Sequence, residues 1–180
     1  MNSKLISIAA FVMLAACEQK AVPLEKVMPP PPVKLAKPKD LVLSAQSVGP
    51  VVFGTSLSQV EKSLGQAVRL DETDNPECSF VSFEALPKVR FMIEKGVITR
   101  ADVEKEIANT SGIRVGDTED QVRQKHADVK IEPHEHVPSG HVLTIQGQGK
   151  SAIVLESDGI KITRVRAGLQ PAASYSEGCS

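Results

Sequence analysis

The strongest constraint on the fold of this chain is a seven-residue pattern that occurs twice. Gly54-Thr55-Ser56-Leu57-Ser58-Gln59-Val60 returns, sixty-two residues later, as Gly116-Asp117-Thr118-Glu119-Asp120-Gln121-Val122. Each copy places a hydroxyl residue (Ser56, Thr118) three positions before a glutamine (Gln59, Gln121). This is the reciprocal capping pattern by which a helix satisfies its first free amides. Apolar residues at alternate positions lead into each glycine, Val51 and Phe53 in the first copy and Ile113 and Val115 in the second. Leu57, Val60 and Leu64 then give the first helix an apolar stripe, and Gly65 is placed to end it. The second helix has Val122 and Val129, with His126 where the first has Leu64.

Strand material follows each helix at the same spacing. Ser79-Phe80-Val81-Ser82-Phe83 corresponds to His141-Val142-Leu143-Thr144-Ile145, both rich in residues that suit a pleated, half-buried surface. Val89 to Glu94, a turn at Lys95-Gly96 and Val97 to Val103 predict a hairpin. Its counterpart runs from Ala152 to Glu156, through Asp158-Gly159, to Ile160–Val165, and Asp-Gly is a strong hairpin-turn signal. Ile98-Thr99-Arg100 even shares its letters with Ile162-Thr163-Arg164. The expected class is α+β, built as two tandem α-β-β-β repeats with short helices packed on antiparallel sheet. The first repeat spans residues 48–109 and the second 110–180.

The N-terminal end carries a different message. Met1 to Lys4 is short and basic, and Leu5 to Leu14 is almost wholly apolar yet shorter than the ~20 residues that span a bilayer as a helix. The run closes on Leu14-Ala15-Ala16-Cys17, which resembles the lipobox of bacterial lipoproteins. That resemblance implies a signal peptide over 1–16, acylation of Cys17 and anchoring in a lipid bilayer; two or more acyl chains suffice for a stable anchor. Glu18 rather than Asp follows the cysteine, which by the same resemblance favours the outer membrane. Residues 17–47 hold half of the twelve prolines, including Pro29-Pro30-Pro31-Pro32. They are expected to act as a semi-extended tether beneath a domain in the periplasm. With Cys17 given to lipid, Cys78 and Cys179 remain, and in an exported chain such a pair reads as a disulfide.

Gly-x-[Ser/Thr]-x-x-Gln-Val at a helix start, followed by a meander whose hairpin turns on glycine, resembles the β-lactamase-inhibitor-protein-like fold. That fold is shared by the small lipoprotein subunit of the outer-membrane β-barrel assembly machinery, BamE (SmpA/OmlA). The likeness covers residues 48–168. The tandem copies are closer to the two-domain inhibitor, and the lipobox and tether to the assembly subunit. In those terms the disulfide pins the tail of the second repeat to the first strand of the first. The resemblance implies a protein-binding role, with an envelope assembly machine or an enzyme to be inhibited, such as a lactamase, lysozyme or delivered toxin, as the partner.

Chemistry is sparse along the rest of the chain. A formal net charge of −1, no Trp and one Tyr leave neither a basic surface nor a stacking platform for nucleic acid. No Gly-x-Ser-x-Gly elbow or phosphate loop is present, and Gly147-Gln148-Gly149 reads as a hairpin turn. Asp71-Glu72-Thr73-Asp74 lacks the EF-hand spacing and reads as a solvated loop. Cys78 and Cys179 are far from Cys-x-x-Cys spacing and make a poor redox site. No catalytic residue and no cofactor is expected. The rival to protein binding is metal capture by the loop over 132–141, where His134 and His136, on one side of an extended segment, sit near His141, Glu132 and Glu135.

Overall fold

The computed structural model describes residues 40–68 and 77–179. The expected signal peptide, Cys17, most of the tether and the acidic run over 71–74 lie outside the described residues. Among the described residues the chain is α+β, with two short helices and two sheets. In order they are β1 (Val42–Leu43), β2 (Ser47–Val48), β3 (Val51–Val52), α1 (Leu57–Leu64), β4 (Cys78–Val81), β5 (Val89–Glu94), β6 (Val97–Val103) and β7 (Ala108–Asn109). Then follow α2 (Glu119–Lys125), β8 (Lys130–Pro133), β9 (His141–Gln146), β10 (Ser151–Ser157), β11 (Ile162–Leu169) and a 3-10 turn (Ala172–Ser174).

Both helices start as their sequences predict. Ser56 Oγ accepts from the Gln59 amide at 3.4 Å while Gln59 Oε1 accepts from the Ser56 amide at 3.3 Å. Thr118 Oγ1 and the Gln121 amide, and the Thr118 amide and Gln121 Oε1, stand at 3.2 and 2.7 Å. Gly65 ends α1 in the left-handed conformation, at φ 65°. Val60 and Leu64 from α1 and Val122 from α2 join the same apolar cluster as the strands.

That cluster rests on one face of a seven-stranded sheet, ordered β4-β5-β6-β11-β10-β9-β8 with every pairing antiparallel. Side chains directly opposite one another share a face, so the register can be read row by row. Val81, Phe91, Ala101, Ala167, Ile153 and Ile145 form one row across the sheet. Val89, Val103, Val165, Leu155, Leu143 and Ile131 form the next. Both rows are wholly apolar, which is why this face carries the core.

Two boundaries and one additional strand differ from expectation. The folded part begins before residue 47: Leu41, Leu43 and Ala45 are buried at alternate positions. There β1 pairs antiparallel with β2 and parallel with β7, in a small sheet ordered β3-β2-β1-β7. Two-residue strands are too short to show a period against a proline-rich background, which is why the sequence extends the tether to residue 47. An unexpected strand, β8, follows α2 and pairs with β9. Finally, β11 runs on to Leu169, because Arg166 and Gly168 pair with Asp102 and Arg100 of β6.

Candidate functional site

The opposite face of the large sheet is built from the alternate residues of the same strands, and it is charged. Arg90, Asp102, Arg166 and Val154 form one row. Met92, Arg100, Gly168 and Ala152 form the row above, and Arg164, Glu156 and Val142 the row below. Opposite charges thus face each other across strands, Arg90 and Arg166 on either side of Asp102 and Arg164 beside Glu156, an arrangement that favours this register. Arg166 is 1% exposed, Arg100 3% and Glu156 4%. Charges so deeply buried persist only when paired. Arg166 Nη1 donates to Glu156 Oε1, and Arg100 donates to Asp102 Oδ1 through Nε at 3.0 Å and Nη2 at 2.7 Å.

What buries them is the chain's own C-terminal segment. After β11 the residues 170–179 fold back over this face as a strap, with Ala173 packed against Ala152 and Val154 and Ala172 buried beside it. The guanidinium groups hold the strap by its backbone. Arg166 Nε donates to the Ala173 carbonyl at 2.7 Å, and Arg100 Nη1 to the Tyr175 carbonyl at 2.7 Å. Further along, Gly178 at φ 81° lies so close to Phe80 that a β-carbon there would sit 2.7 Å from the ring. Phe80 in turn carries the Arg90 guanidinium over its ring, 4.2 Å from the centroid. The strap ends at Cys179, whose Sγ stands 2.03 Å from that of Cys78 on β4, with the Cα atoms 5.4 Å apart. The two cysteines paired in the sequence reading are therefore at bonding distance.

Two polar atoms in the buried array are left over. Arg166 Nη2 and Asp102 Oδ2 have no hydrogen-bond partner among the described residues. Asp102 Oδ2 has only the Arg90 guanidinium, at 3.7 Å. Burial pulls the Arg100 guanidinium below its ordinary value, with Asp102 opposing. Burial pushes the Glu156 carboxyl up, but the charge and hydrogen bond of Arg166, helped by Arg164 and His134, outweigh it and leave the group below the ordinary carboxylate range.

The histidines singled out in the sequence are dispersed among separate carboxylates. His134 Nε2 lies 3.7 Å from Glu156 and His136 Nε2 3.2 Å from Glu177 of the strap. His141 Nδ1 is 2.7 Å from Glu119 at the start of α2, and His126 Nε2 is 2.9 Å from the Ser111 carbonyl. Glu132 pairs with Lys130 at 2.9 Å, and Glu135 accepts from Ser176 of the strap at 2.7 Å. Among the described residues no three such groups are arranged to hold a metal ion. The 132–141 loop instead clasps the strap through Glu135 and His136. Ser157, His141 and Glu119 also meet, but the Ser157 hydroxyl donates to Glu119 and not to the imidazole, unlike a nucleophile aligned on its base. Burial pushes the Glu119 carboxyl up, while the hydrogen bonds from Ser157 and His141 together bring it below the usual range.

Two cavities adjoin this face. One, of 440 Å³, opens beyond the strap between Lys88, Arg90, Arg164 and Asp102. The other, of 720 Å³, is bounded by the strap, by both half-cystines and by Glu94, Glu132, Glu135 and Glu177. Arg100, Asp102, Glu156 and Arg166 were not singled out from the sequence. Their signal was present as charges two residues apart in strands, Arg100-x-Asp102 and Arg164-x-Arg166, with the second pair cut by ending that strand at 165. Comparison of the chain with protein-family models, with curated proteins and with solved structures gave no match in any of the three.

Proposed function

We propose that the chain is a membrane-anchored lipoprotein facing the periplasm from the outer membrane, acting as a non-enzymatic protein-binding module. One observation carries the binding role: a face of the large sheet already holds a stretch of polypeptide, residues 170–179, by guanidinium bonds to the backbone carbonyls of Ala173 and Tyr175. Bonds to backbone carbonyls do not depend on the side chains of the segment they hold, so the same donors suit a partner's chain as well as this one. The address rests on Leu14-Ala15-Ala16-Cys17 and Glu18, and the partner is another envelope protein.

The two-copy plan is part of this proposal, as is the likeness to the β-lactamase-inhibitor-protein-like and BamE families. It is supported by bonds that recur in both halves. Gly54 and Gly116 donate to the carbonyls of Ile98 and Ile162, each at 2.8 Å, and Ile98 and Ile162 donate back to Thr55 and Asp117 at 2.9 and 2.8 Å. Thr99 and Thr163 each donate to the strand before, at Met92 and Glu156. Asp102 and Arg166 then occupy equivalent places, opposed across the central β6–β11 pair.

Anchoring and binding are tested together by recovering the full chain, once with the disulfide intact and once after reduction, from solubilised envelope and identifying what is cross-linked to it in either state. A stoichiometric protein partner supports the reading, and recovery of abundant bystanders alone contradicts it. Cys17→Ser is expected to move the chain from the membrane to the soluble fraction, and retention at the membrane would refute the anchor.

A further inference from the structure

Arg166 engages its strap with half of the group it offers. On a guanidinium, Nε and Nη2 lie along one edge, spaced to meet both oxygens of a carboxylate. On Arg100 this edge is filled by Asp102 Oδ1. On Arg166 the Nε donates to a single carbonyl, that of Ala173, and Nη2 donates to nothing among the described residues although the side chain is 2% exposed. The remaining nitrogen, Nη1, is committed to Glu156. A carboxylate in the place of the Ala173 carbonyl would fill the whole edge, and the strap, having only a carbonyl there, is an imperfect occupant.

The strap is also built to leave. Its apolar anchorage in the cluster on this face is one alanine, Ala173. Its other ties are the bond from the Gln170 amide to the Lys150 carbonyl, the two guanidinium–carbonyl bonds, the close approach of Gly178 to Phe80, surface contacts from Glu135 and His136, and the covalent bond from Cys179 to Cys78. Both half-cystines line the 720 Å³ cavity, which gives a reductant a route to them. We propose that the strap is a tethered stand-in for a peptide ending in a free carboxylate, and that the Cys78–Cys179 bond is the latch that keeps the stand-in seated. Opening is a dithiol exchange. One thiolate of the dithiol attacks Sγ of Cys179 and Cys78 leaves as thiolate; the second thiolate then attacks the mixed bond and Cys179 leaves. The two electrons and two protons come from the dithiol, which ends as a disulfide. The proposal deepens the protein-binding reading and rests on it.

The test uses the full chain, oxidised or reduced with dithiothreitol, and two synthetic probes. One is Gln-Pro-Ala-Ala with a free C-terminal carboxylate, the sequence of residues 170–173; the other is its C-terminal amide. Calorimetry is expected to show binding of the acid by the reduced chain, at least tenfold weaker binding of the amide, and no binding of either by the oxidised chain. Circular dichroism of the reduced chain is expected to keep its strand signal. Equal binding of acid and amide, or binding of neither, overturns the carboxylate site. Binding by the oxidised chain, or loss of strand signal on reduction, overturns the latch. A protein partner recovered from envelope by the oxidised chain would leave the general binding role standing while these probes fail, so the two failures are distinguishable.

Discussion

The two faces of the seven-stranded sheet are made from the same strands and cohere by different means. On one face two rows, each of six residues across six of the seven strands, are wholly apolar, and the helices and the small sheet close over them. On the other, arginines alternate with carboxylates, and a single pass of chain, with Ala173 packed on the sheet, covers them. Hydrophobic burial is non-directional and accumulates with area. A buried ion pair gains little net free energy after desolvation but is costly to break, and it fixes which groups face which. The first face therefore accounts for the stability of the domain, and the second for the placement of a peptide upon it.

This contrast is open to attack from both sides. Phe91, fully buried in an apolar row and stacked edge-on against Phe83 at 5.6 Å, should be the more expensive loss. Phe91→Ala is expected to lower stability by about 3–5 kcal/mol in urea denaturation. Glu156→Leu, which leaves Arg166 without its counter-charge, is expected to cost about 3 kcal/mol, whereas Glu156→Leu combined with Arg166→Met should recover most of that loss. If the double variant is no better than the single, the charged face contributes stability of its own and the contrast fails.

Acid should act on the charged side. The carboxyls of Glu156 and Glu119 lie below their ordinary range when folded. Their contribution is therefore present above the unfolded value of about 4.3 and is lost as pH falls through the lower folded values. Denaturation midpoints measured down the pH scale should drop below about pH 4.3, and the drop should be shallower in Glu156→Gln. Smallest are the helix starts: Ser56→Ala and Thr118→Ala are each expected to cost about 1 kcal/mol, by equal amounts if the two caps are equivalent.

Legibility in the sequence followed the same division. Capping residues and hairpin turns act within a few positions of chain, and the starts of both helices and the span of the first hairpin stand where Ser56, Thr118 and Lys95-Gly96 put them. The cysteine pair was legible by arithmetic, since two remained once one was assigned elsewhere. The charged face was not, because its identity lies in register: Arg166 matters through Asp102 opposite it and Ala173 above it, and neither neighbour is close in sequence to the partners that complete the array. The partners of the histidine loop were hidden for a related reason. The rings of His134 and His136 do meet edge-on, 6.1 Å between centroids, but each faces its own carboxylate, Glu156 and Glu177, while His141 turns to Glu119.

The disulfide closes 101 residues of chain, and the loop-entropy model assigns such a bond up to about 4.7 kcal/mol. Reduction must therefore weaken the whole domain to some degree, and the decisive matter is where it opens first. Hydrogen exchange followed by mass spectrometry, on the full chain before and after reduction, answers this most directly. The account predicts that amides in 172–179 exchange at least tenfold faster after reduction while those of β6 and β10 remain slow. A strap that stays protected without its latch, or strands that lose protection together with it, would contradict the account.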